Sequence, residues 1–441
     1  MMAIETKTPA VRSEMKYLAY FVFAVLAALS LWFYVDRILV SYQMADAAAN
    51  DRPRGNLSDL YPRWLGAREL LLHHRNPYGD DIAIEIQKGY YGRALDPARP
   101  NDPKDQQGFA YPVYVVFLLA PLITLPFHQA QIFFYWFLVA VTAISVVLWL
   151  RSLRWSLPPI LTAAAIVLTL GSLPAVQGLK LQQLSLLVAA IMAAGAACVA
   201  YGFLVCGGVL LALATIKPQL ALPVVAWLLL WAGSNWSARR RFVYGFAGTM
   251  ALLLGAGELV LPGWCGMFRE AIAKYHRYTQ NASVLDELFP WAYAGKVFAI
   301  AAVLASAWLV WRFRNEPVDS KNFGTVIALV MALTVLVVPM YAPYNQVLLL
   351  PAIFVLIRDR NMLFAGPGGA RFLYAAMVFA LAWQWIASLG LSSVYLLASP
   401  AWALRAWKWP FFATFTVPVL IFALMIVEVG RRRGAVRQES T

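Results

Sequence analysis

Two charged residues of this 441-residue chain stand where their side chains could carry out chemistry. Asp59 comes directly before a stretch that is predicted to begin a helix, and a carboxylate there can act as a general base. It can also simply favour the positive end of the helix dipole. Lys217 lies in a break between two short apolar runs, with Pro218 after it. Its ammonium group either extends to the membrane surface or binds an anion.

The segment that must position Asp59 is the long polar stretch 40–110. Ser58 is predicted to cap a helix that runs to His74, with Pro62 in its first turn and Asp59 as its first residue. Its apolar residues recur at helical spacing, whereas Asp59, Arg63 and Gly66 fall on another face. The apolar stripe consists of Leu60, Trp64, Ala67 and Leu71. We therefore expect an amphipathic helix along the membrane surface, and a second helix over 80–91.

The composition is that of a polytopic membrane protein. Hydrophobic residues make up 61% of the chain and charged residues only 13%, and the mean hydropathy is +0.64. A soluble chain of this length would carry about 25% charged residues. The net charge of +14 does not point to nucleic acid, because the lysines and arginines lie mainly between apolar runs. Loops on the cytoplasmic side of membrane proteins concentrate such residues.

Thirteen apolar segments are candidates to cross the bilayer, since about 20 apolar residues span its hydrocarbon core. They are 17–39, 111–127, 129–150, 157–174, 182–201, 204–216, 219–232, 241–261, 292–312, 322–340, 344–357, 371–394 and 409–429. The basic residues of the N-terminus and the arginines of alternate loops are predicted to be cytoplasmic. These loops contain 239–241, 312–314, 358–360 and 431–433. Two cytoplasmic termini require an even number of crossings, so about 12 segments should cross.

Two interpretations satisfy this parity. In the first, segment 111–127 is re-entrant, because Pro112, Pro121 and Pro126 interrupt it. In the second, 111–127 crosses normally and 204–232 forms one long crossing. The second interpretation places Lys217 near the middle of the bilayer, which is energetically costly. The first interpretation is therefore preferred.

The resulting domain prediction is a single transmembrane unit over 17–430. It carries two external loops, 40–110 and 262–291, and is flanked by cytoplasmic segments 1–16 and 431–441.

Short motifs in a fixed order resemble a known family. They read Asp59-Leu60-Tyr61, Arg75-Asn76-Pro77-Tyr78, Tyr111-Pro112, Gln182-Gln183-Leu184-Ser185 and Ala214-Thr215-Ile216-Lys217-Pro218-Gln219. Over roughly residues 17–350 the chain resembles polyprenyl-phosphate-dependent glycosyltransferases of the GT-C type. It is most similar to glycosyltransferase family 87, the α-1,2-mannosyltransferase-like proteins of bacteria. The resemblance implies an all-α, GT-C-like bundle of about 12 transmembrane helices with an external loop that carries the catalytic aspartate.

Three positions depart from the pattern of that family. The second proline of Tyr-Pro-Pro is Val113, and the glycine and asparagine of Gly-Gln-x-Asn are Gln182 and Ser185. The stretch 339–346 lacks the histidines that such proteins often carry there. These departures concern the sugar and the acceptor more than the class of reaction.

The resemblance implies an inverting transfer of a mannose-like hexose or pentose from a polyprenyl-phosphate carrier to a hydroxyl of a lipid or glycan acceptor. Asp59 is predicted to be the general base, with Asp51 as the next candidate. Residues that could bind the donor phosphate or the substrates are Lys217, Arg63, Lys180, Gln183, Asn76, Tyr78, Tyr111, Tyr344 and Asn345. Alternative roles remain open for several of them, namely helix capping for Gln183, a turn for Asn76 and Tyr78, and interfacial anchoring for Tyr344 and Asn345.

No cofactor or metal is expected, because no Asp-x-Asp-type motif is present and His73 and His74 form only a surface pair. Expected partners are the lipid-linked sugar, the acceptor and membrane lipids, and not nucleic acid. The predicted location is the cytoplasmic membrane of a bacterium, with the site facing outward. Two other classes of function are a transporter or lipid flippase and a non-catalytic assembly subunit. A transporter would need polar residues along several spans, and Glu258 is the main ionisable residue inside a predicted span.

Overall fold

The computed structural model describes residues 9–278, 282–289, 291, 293–339, 341–365 and 368–439. Residues 1–8 of the predicted N-terminal segment and residues 440–441 of the predicted tail lie outside this range. The described residues form helices and contain no β-strand. The helices are α1 (Pro9–Phe33), α2 (Val40–Ala49), α3 (Tyr61–His73), α4 (Asp80–Tyr91), α5 (Val115–Leu119), α6 (Phe127–Ser152), α7 (Pro159–Leu170), α8 (Leu173–Lys180), α9 (Leu184–Ala200), α10 (Leu204–Ala214), α11 (Pro218–Gly233), α12 (Trp236–Val260), α13 (Trp264–Tyr278), α14 (Val284–Leu288), α15 (Ala294–Arg312), α16 (Lys321–Val337), α17 (Leu350–Arg358), α18 (Arg360–Phe364), α19 (Gly368–Leu397), α20 (Pro400–Arg405) and α21 (Thr416–Glu439). A π-helical turn, Tyr34–Leu39, joins α1 to α2, and 3₁₀ turns occur at Ala120–Leu122, Pro343–Leu349 and Trp409–Phe411.

Among the described residues, six helical segments are long and apolar enough to cross a membrane. They are Glu14–Ala49, Phe127–Ser152, Trp236–Val260, Ala294–Arg312, Gly368–Leu397 and Pro400–Arg432. Helices α7 and α8 would form a seventh span, broken by a bend of 58°. Five further apolar helical segments of 10–17 residues are shorter than a regular span. The chain is therefore an all-α, multi-pass protein, and the count of about 12 crossings stays a prediction.

The shorter helices form the interior of the bundle. Helices α9 and α16 are buried along almost their whole length. Helix α9 is apolar on all sides, as expected of a helix surrounded by other helices. Its glycine lets α10 approach closely, because a Cβ atom on Gly195 would lie 3.0 Å from Leu211. Small residues permit such close contact between apolar helices.

Five arginines lie at one end of the bundle, here called the arginine end, where they form hydrogen bonds and ion pairs between its loops. The Arg358 guanidinium donates to the Leu153 carbonyl at 2.5 Å and pairs with Asp359 at 2.7 Å, and Asp359 also pairs with Arg432. The arginines are Arg154, Arg239, Arg314, Arg358 and Arg432, and their partners include the carbonyls of Ala200, Trp231 and residues 314–316. The predicted arginine-rich loops thus share one end.

Three segments run from the opposite end of the bundle to the arginine end. Helix α9 begins at Leu184, α11 begins at Pro218, and the 3₁₀ turn that leads into α17 begins at Pro343. The residues directly before and within these starting turns therefore meet at the end opposite the arginines. The same end carries α3 and α4, because the Asp59 amide donates to the Leu181 carbonyl at 2.8 Å.

Helix α4 has the predicted bounds, but α3 differs from its prediction in two ways. It begins at Tyr61, so Leu60 is at the N-cap position, and Asp59 lies in the preceding turn. It is also buried on nearly all sides, and the prediction of an amphipathic surface helix is wrong. A Cβ atom on Gly66 would lie 2.4 Å from the Phe109 ring. The face of α3 that was predicted to be polar is therefore packed against the end of segment 40–110.

Burial of α3 is possible because its polar side chains have partners inside the protein. The Arg63 guanidinium donates to the Asp59 carbonyl at 2.7 Å. Glu69 pairs with Arg75 at 2.8 Å and with His73 at 3.2 Å. Buried polar groups are tolerated when they form hydrogen bonds of this kind.

Segment 111–127 contains only α5, a helix of five residues, followed by the 3₁₀ turn Ala120–Leu122. A helix this short cannot cross the hydrocarbon core. The interpretation in which 111–127 crosses as one regular helix is therefore wrong. Helices α10 and α11 are likewise separate, with Lys217 in the break between them. The re-entrant placement of 111–127 stays a prediction.

Candidate active site

The turn that carries Asp59 is fixed by a polar contact to the turn between α8 and α9. The Ser58 hydroxyl donates to the Gln182 side-chain oxygen at 2.6 Å, and does not occupy the N-cap position of α3. Leu57 and Gln182 both adopt left-handed backbone conformations, with φ of 51° and 49°. Such conformations are unfavourable for residues other than glycine, and they concentrate at functional sites. The two turns hold each other in place and aim Asp59 and Gln183 at one another.

The Asp59 carboxylate is half-buried and accepts two hydrogen bonds. The Tyr90 hydroxyl on α4 donates to Oδ1 at 3.1 Å, and the Gln183 amide donates to Oδ2. Burial raises the pKa of the Tyr90 hydroxyl, and the Asp59 carboxylate raises it further, so Tyr90 remains a protonated donor. Each carboxylate oxygen has a second lone pair, so Asp59 can accept a further hydrogen bond from a substrate hydroxyl.

The Lys217 side chain lies on the other side of Gln183. Its Nζ atom donates to Gln183 Oε1 at 2.9 Å and to the Ser185 hydroxyl at 2.7 Å. Ser185 in turn donates to Asn345 Oδ1 at 2.8 Å. Lys217 as a whole is 6% exposed, so its side chain does not extend to the surface of the protein. A continuous polar chain therefore links Asp59, Gln183, Lys217, Ser185 and Asn345; we call it the Asp59–Lys217 cluster.

A second cation lies beside this cluster. The Arg63 guanidinium stands 4.4 Å from the centre of the Tyr111 ring, and Lys217 Nζ is 5.7 Å from the same centre. Lys217 Nζ is also 5.4 Å from the Tyr344 ring centre. Burial lowers the pKa of the Arg63 guanidinium, but Asp59 and the nearby tyrosines Tyr111, Tyr275 and Tyr344 together raise it by more, so Arg63 stays positively charged.

The donors of these two cations are not all used by the protein. Arg63 Nε is buried and has no hydrogen-bond partner among the described residues. Lys217 has three N–H donors, of which two contact Gln183 and Ser185. Two aromatic rings and two buried cations with spare donors are suited to bind an anion such as a phosphate.

Of the predicted site residues, Asp59, Lys217, Arg63, Gln183, Tyr111, Tyr344 and Asn345 come together. Tyr78 acts one step away, because its hydroxyl donates to the Tyr111 carbonyl at 2.6 Å. Asn76 forms a turn by accepting the Tyr78 amide at 3.0 Å, and it contacts Met267 rather than the cluster. The structure does not bring Lys180 to the cluster either, since Lys180 pairs with Asp36.

The sequence did not single out Tyr90 as a site residue, and it identified Ser185 only as a departure from the family pattern. Tyr90 and Tyr91 end the predicted helix 80–91, which could have indicated a tyrosine near Asp59. Nothing in the sequence specified which of the two faces Asp59. No group of three or more His, Cys, Asp or Glu residues that could hold a metal occurs in the described parts of the chain. The absence of a metal requirement remains a prediction.

An apolar cleft of about 360 Å³ begins one residue beyond Asn345. Gln346 stands at its polar end, and Leu350, Ile353 and Ile357 line it along α17 toward the arginine end. Helix α19 contributes Met377 to the opposite wall. The cleft therefore runs along α17 toward the arginine end from Gln346, the residue that follows the last member of the Asp59–Lys217 cluster in sequence.

Comparison with known proteins adds one finding. The model of glycosyltransferase family 87 matches residues 109–339, which is more than half of the chain. The matched range includes Tyr111, Gln183 and Lys217, whereas Asp59 and Tyr344 lie outside it. No curated protein and no solved structure matches the chain.

Proposed function

The chain belongs to glycosyltransferase family 87, and we propose that it transfers a sugar from a polyprenyl-phosphate carrier to an acceptor hydroxyl at the Asp59–Lys217 cluster. The observation that carries the proposal is the bridge through Gln183, which joins a carboxylate to a buried ammonium group. One group can accept a proton and the other can bind a leaving phosphate. Sugar transfer from a lipid phosphate requires both.

The proposed reaction is a single displacement at the anomeric carbon. The acceptor oxygen attacks this carbon while Asp59 takes the proton of the hydroxyl. The bond from the anomeric carbon to the phosphate oxygen breaks, and the electron pair leaves with the phosphate. Lys217 and Arg63 then stabilise the negative charge on the phosphate with their spare donors. Because attack and departure occur on opposite sides of the carbon, the configuration at this carbon inverts.

Gln183 would hold the base Asp59 and the phosphate-binding residue Lys217 at a fixed distance from each other. Its amide group donates to Asp59 and accepts from Lys217, so both side chains are oriented before substrates bind. Positioned groups of this kind lower the barrier because little reorganisation is needed during the reaction. A cavity between Asp59 and Lys217 that admits the sugar stays a prediction.

A lipid-linked donor is supported by the apolar cleft. The cleft begins at Gln346, the residue after Asn345, and extends along α17, and the hydrocarbon chain is proposed to lie there with its phosphate at Lys217. A nucleotide-linked donor would not use an apolar cleft of this length. The donor sugar is proposed to be a mannose-like hexose or pentose, and the acceptor a lipid or glycan.

We propose that the cluster faces the outside of a bacterial cytoplasmic membrane. The supporting argument is that the cluster lies at the end of the bundle opposite the arginines. Lysine and arginine concentrate in cytoplasmic loops, so the arginine end would be the cytoplasmic end. The external loops would then be 40–110 and 262–291, and the termini would be cytoplasmic.

A transporter is not favoured. Membership of a glycosyltransferase family argues against it, and so does the position of Glu258. Its carboxylate accepts the Gly263 amide at 2.7 Å, which places it at the end of α12 rather than within a transport path. Ion pathways in transporters are marked by ionisable residues inside the membrane.

The donor class is tested with the purified full chain in lipid nanodiscs and a membrane extract as the source of acceptor. We expect incorporation of labelled sugar from a polyprenyl-monophosphate-linked donor, and none from a nucleotide-linked sugar. The expectation rests on the apolar cleft and the buried cations. Incorporation from the nucleotide sugar alone, with the lipid-linked donor inactive, would contradict the proposal.

The orientation is tested with two matched substitutions in a background from which Cys198, Cys206 and Cys265 have been removed. Ala98→Cys lies in the proposed external loop and Ala238→Cys lies near the arginine end, and both positions are exposed. An impermeant maleimide should label the first in intact cells of a bacterial host, and the second only after permeabilisation. The reverse pattern would place the cluster on the cytoplasmic side.

A further inference from the structure

A second cavity, of about 600 Å³, lies at the same end of the bundle as the Asp59–Lys217 cluster but is separate from it. We call it the lysine pocket, because its lining includes Lys180 and Lys408. Apolar and aromatic side chains, among them Phe411, Phe412 and Phe415, form most of its wall. The lysine pocket lies close to the Asp59–Lys217 cluster. Leu181 lines the pocket, and its carbonyl accepts a hydrogen bond from the Asp59 amide.

The charges of the lysine pocket suit an anion. Among the described residues that line it there is no carboxylate. Lys180 pairs with Asp36, but the two side chains are 37% and 49% exposed. Exposed ion pairs contribute little to stability, so Lys180 can be shared with a second anion. Lys408 lies 5.4 Å from the Trp407 ring centre, and its side chain is exposed.

A polar group in the wall of the pocket lacks a partner. The Oε1 atom of Gln177 is buried and has no hydrogen-bond partner among the described residues. An unpaired buried acceptor is energetically costly. Gln177 lines the pocket, so a rotation of its side chain would bring this acceptor to a hydroxyl group that enters the pocket.

The position of the pocket points to a lipid. It is bounded by the π-helical turn after α1, by α8, whose last residue Lys180 ends the broken span, and by the turn 407–415 before α21. Tryptophan and lysine at the ends of spans lie at the depth of the lipid headgroups. The phenylalanines of the turn could contact an acyl chain below them.

We propose that the lysine pocket binds an anionic phospholipid of the surrounding membrane whose headgroup carries a hydroxyl. Its phosphate lies between Lys180 and Lys408, its hydroxyl donates to Gln177, and one acyl chain packs on Phe411, Phe412 and Phe415. This lipid is distinct from the sugar donor, whose phosphate is proposed to bind at Lys217. The inference requires only that the chain lies in a membrane, and it does not depend on the proposed reaction.

The test uses the delipidated full chain and native mass spectrometry with three probes: phosphatidylglycerol, phosphatidic acid and phosphatidylcholine. We expect both anionic lipids to bind about tenfold more tightly than phosphatidylcholine, because each nearby lysine attracts an anionic headgroup. Phosphatidylglycerol should bind more tightly than phosphatidic acid, because only its headgroup extends an alcohol hydroxyl beyond the phosphate to the position of Gln177. Equal binding of all three lipids would overturn the proposal.

Substitutions locate the site. Lys180→Gln with Lys408→Gln should abolish the preference for anionic lipids, whereas Lys88→Gln with Lys274→Gln removes the same charge elsewhere and should preserve it. Gln177→Leu should remove only the advantage of phosphatidylglycerol over phosphatidic acid. An unchanged lipid preference in the Lys180 and Lys408 double variant would overturn the proposal. So would loss of polyprenyl-phosphate binding in that variant equal to the loss in Lys217→Met, because the pocket would then belong to the donor.

Discussion

Asp59→Asn is expected to lower the rate of sugar transfer by about 10²- to 10⁴-fold, the usual contribution of a positioned general base. An amide cannot take the proton of the acceptor hydroxyl. The substitution should leave the fold intact, because the asparagine oxygen can accept the Gln183 amide and its NH₂ group can donate to the Tyr90 oxygen. Expression, thermal stability and donor binding should therefore remain close to those of the wild-type protein.

The matched control is Asp51→Asn, which removes a carboxylate from the same loop. Asp51 is exposed and lies 3.7 Å from Arg99, so its loss should not affect turnover. Both variants are compared by initial rates at saturating donor. Wild-type turnover in Asp59→Asn together with a large loss in Asp51→Asn would identify Asp51 as the base.

Lys217→Met is expected to weaken binding of a polyprenyl-phosphate-linked sugar by about 10- to 100-fold, the value of one charge-assisted hydrogen bond. Methionine retains the length of the side chain but removes the buried charge. It also leaves Gln183 Oε1 and the Ser185 hydroxyl without their donor. Some loss of stability is therefore expected as well, of about 1–3 kcal/mol.

A second variant separates donor binding from folding. Lys217→Arg retains the positive charge and should retain more donor affinity than Lys217→Met, although the different shape of the guanidinium will not reproduce both contacts. Lys88→Met, at an exposed position on α4, controls for the change of residue type. Donor affinity in Lys217→Met equal to that of the wild type would assign Lys217 a purely structural role.

The sequence predicted the parts of the molecule that depend on local signals. Helix α4 begins and ends at the predicted residues, since acidic residues favour its start and a glycine follows its end. The arginine-rich loops meet at one end as their alternation implied. The burial of α3 could not be predicted, because Arg63 and Glu69 resemble surface residues until their partners in the fold are known.

The candidate site was predicted only in part, because contacts between residues far apart in the sequence decide which of its side chains meet. Asp59, Gln183 and Lys217 were selected by resemblance, but the bridge through Gln183 depends on the left-handed turn at Gln182. A sequence with two adjacent glutamines does not specify which one faces the carboxylate. Lys180, three residues before Gln183, was also predicted to be a cation that could bind the donor phosphate. The intervening turn separates them, and Lys180 faces Asp36.

The most direct test of the central claim is a cryo-EM structure of the protein with a non-hydrolysable polyprenyl-phosphate-sugar analogue. The account predicts that the phosphate lies within hydrogen-bonding distance of Lys217 Nζ and the Arg63 guanidinium, with the lipid chain in the apolar cleft. The anomeric carbon should then lie between the phosphate and the Asp59 carboxylate. A phosphate bound away from Lys217, or a sugar whose anomeric carbon faces away from Asp59, would contradict it.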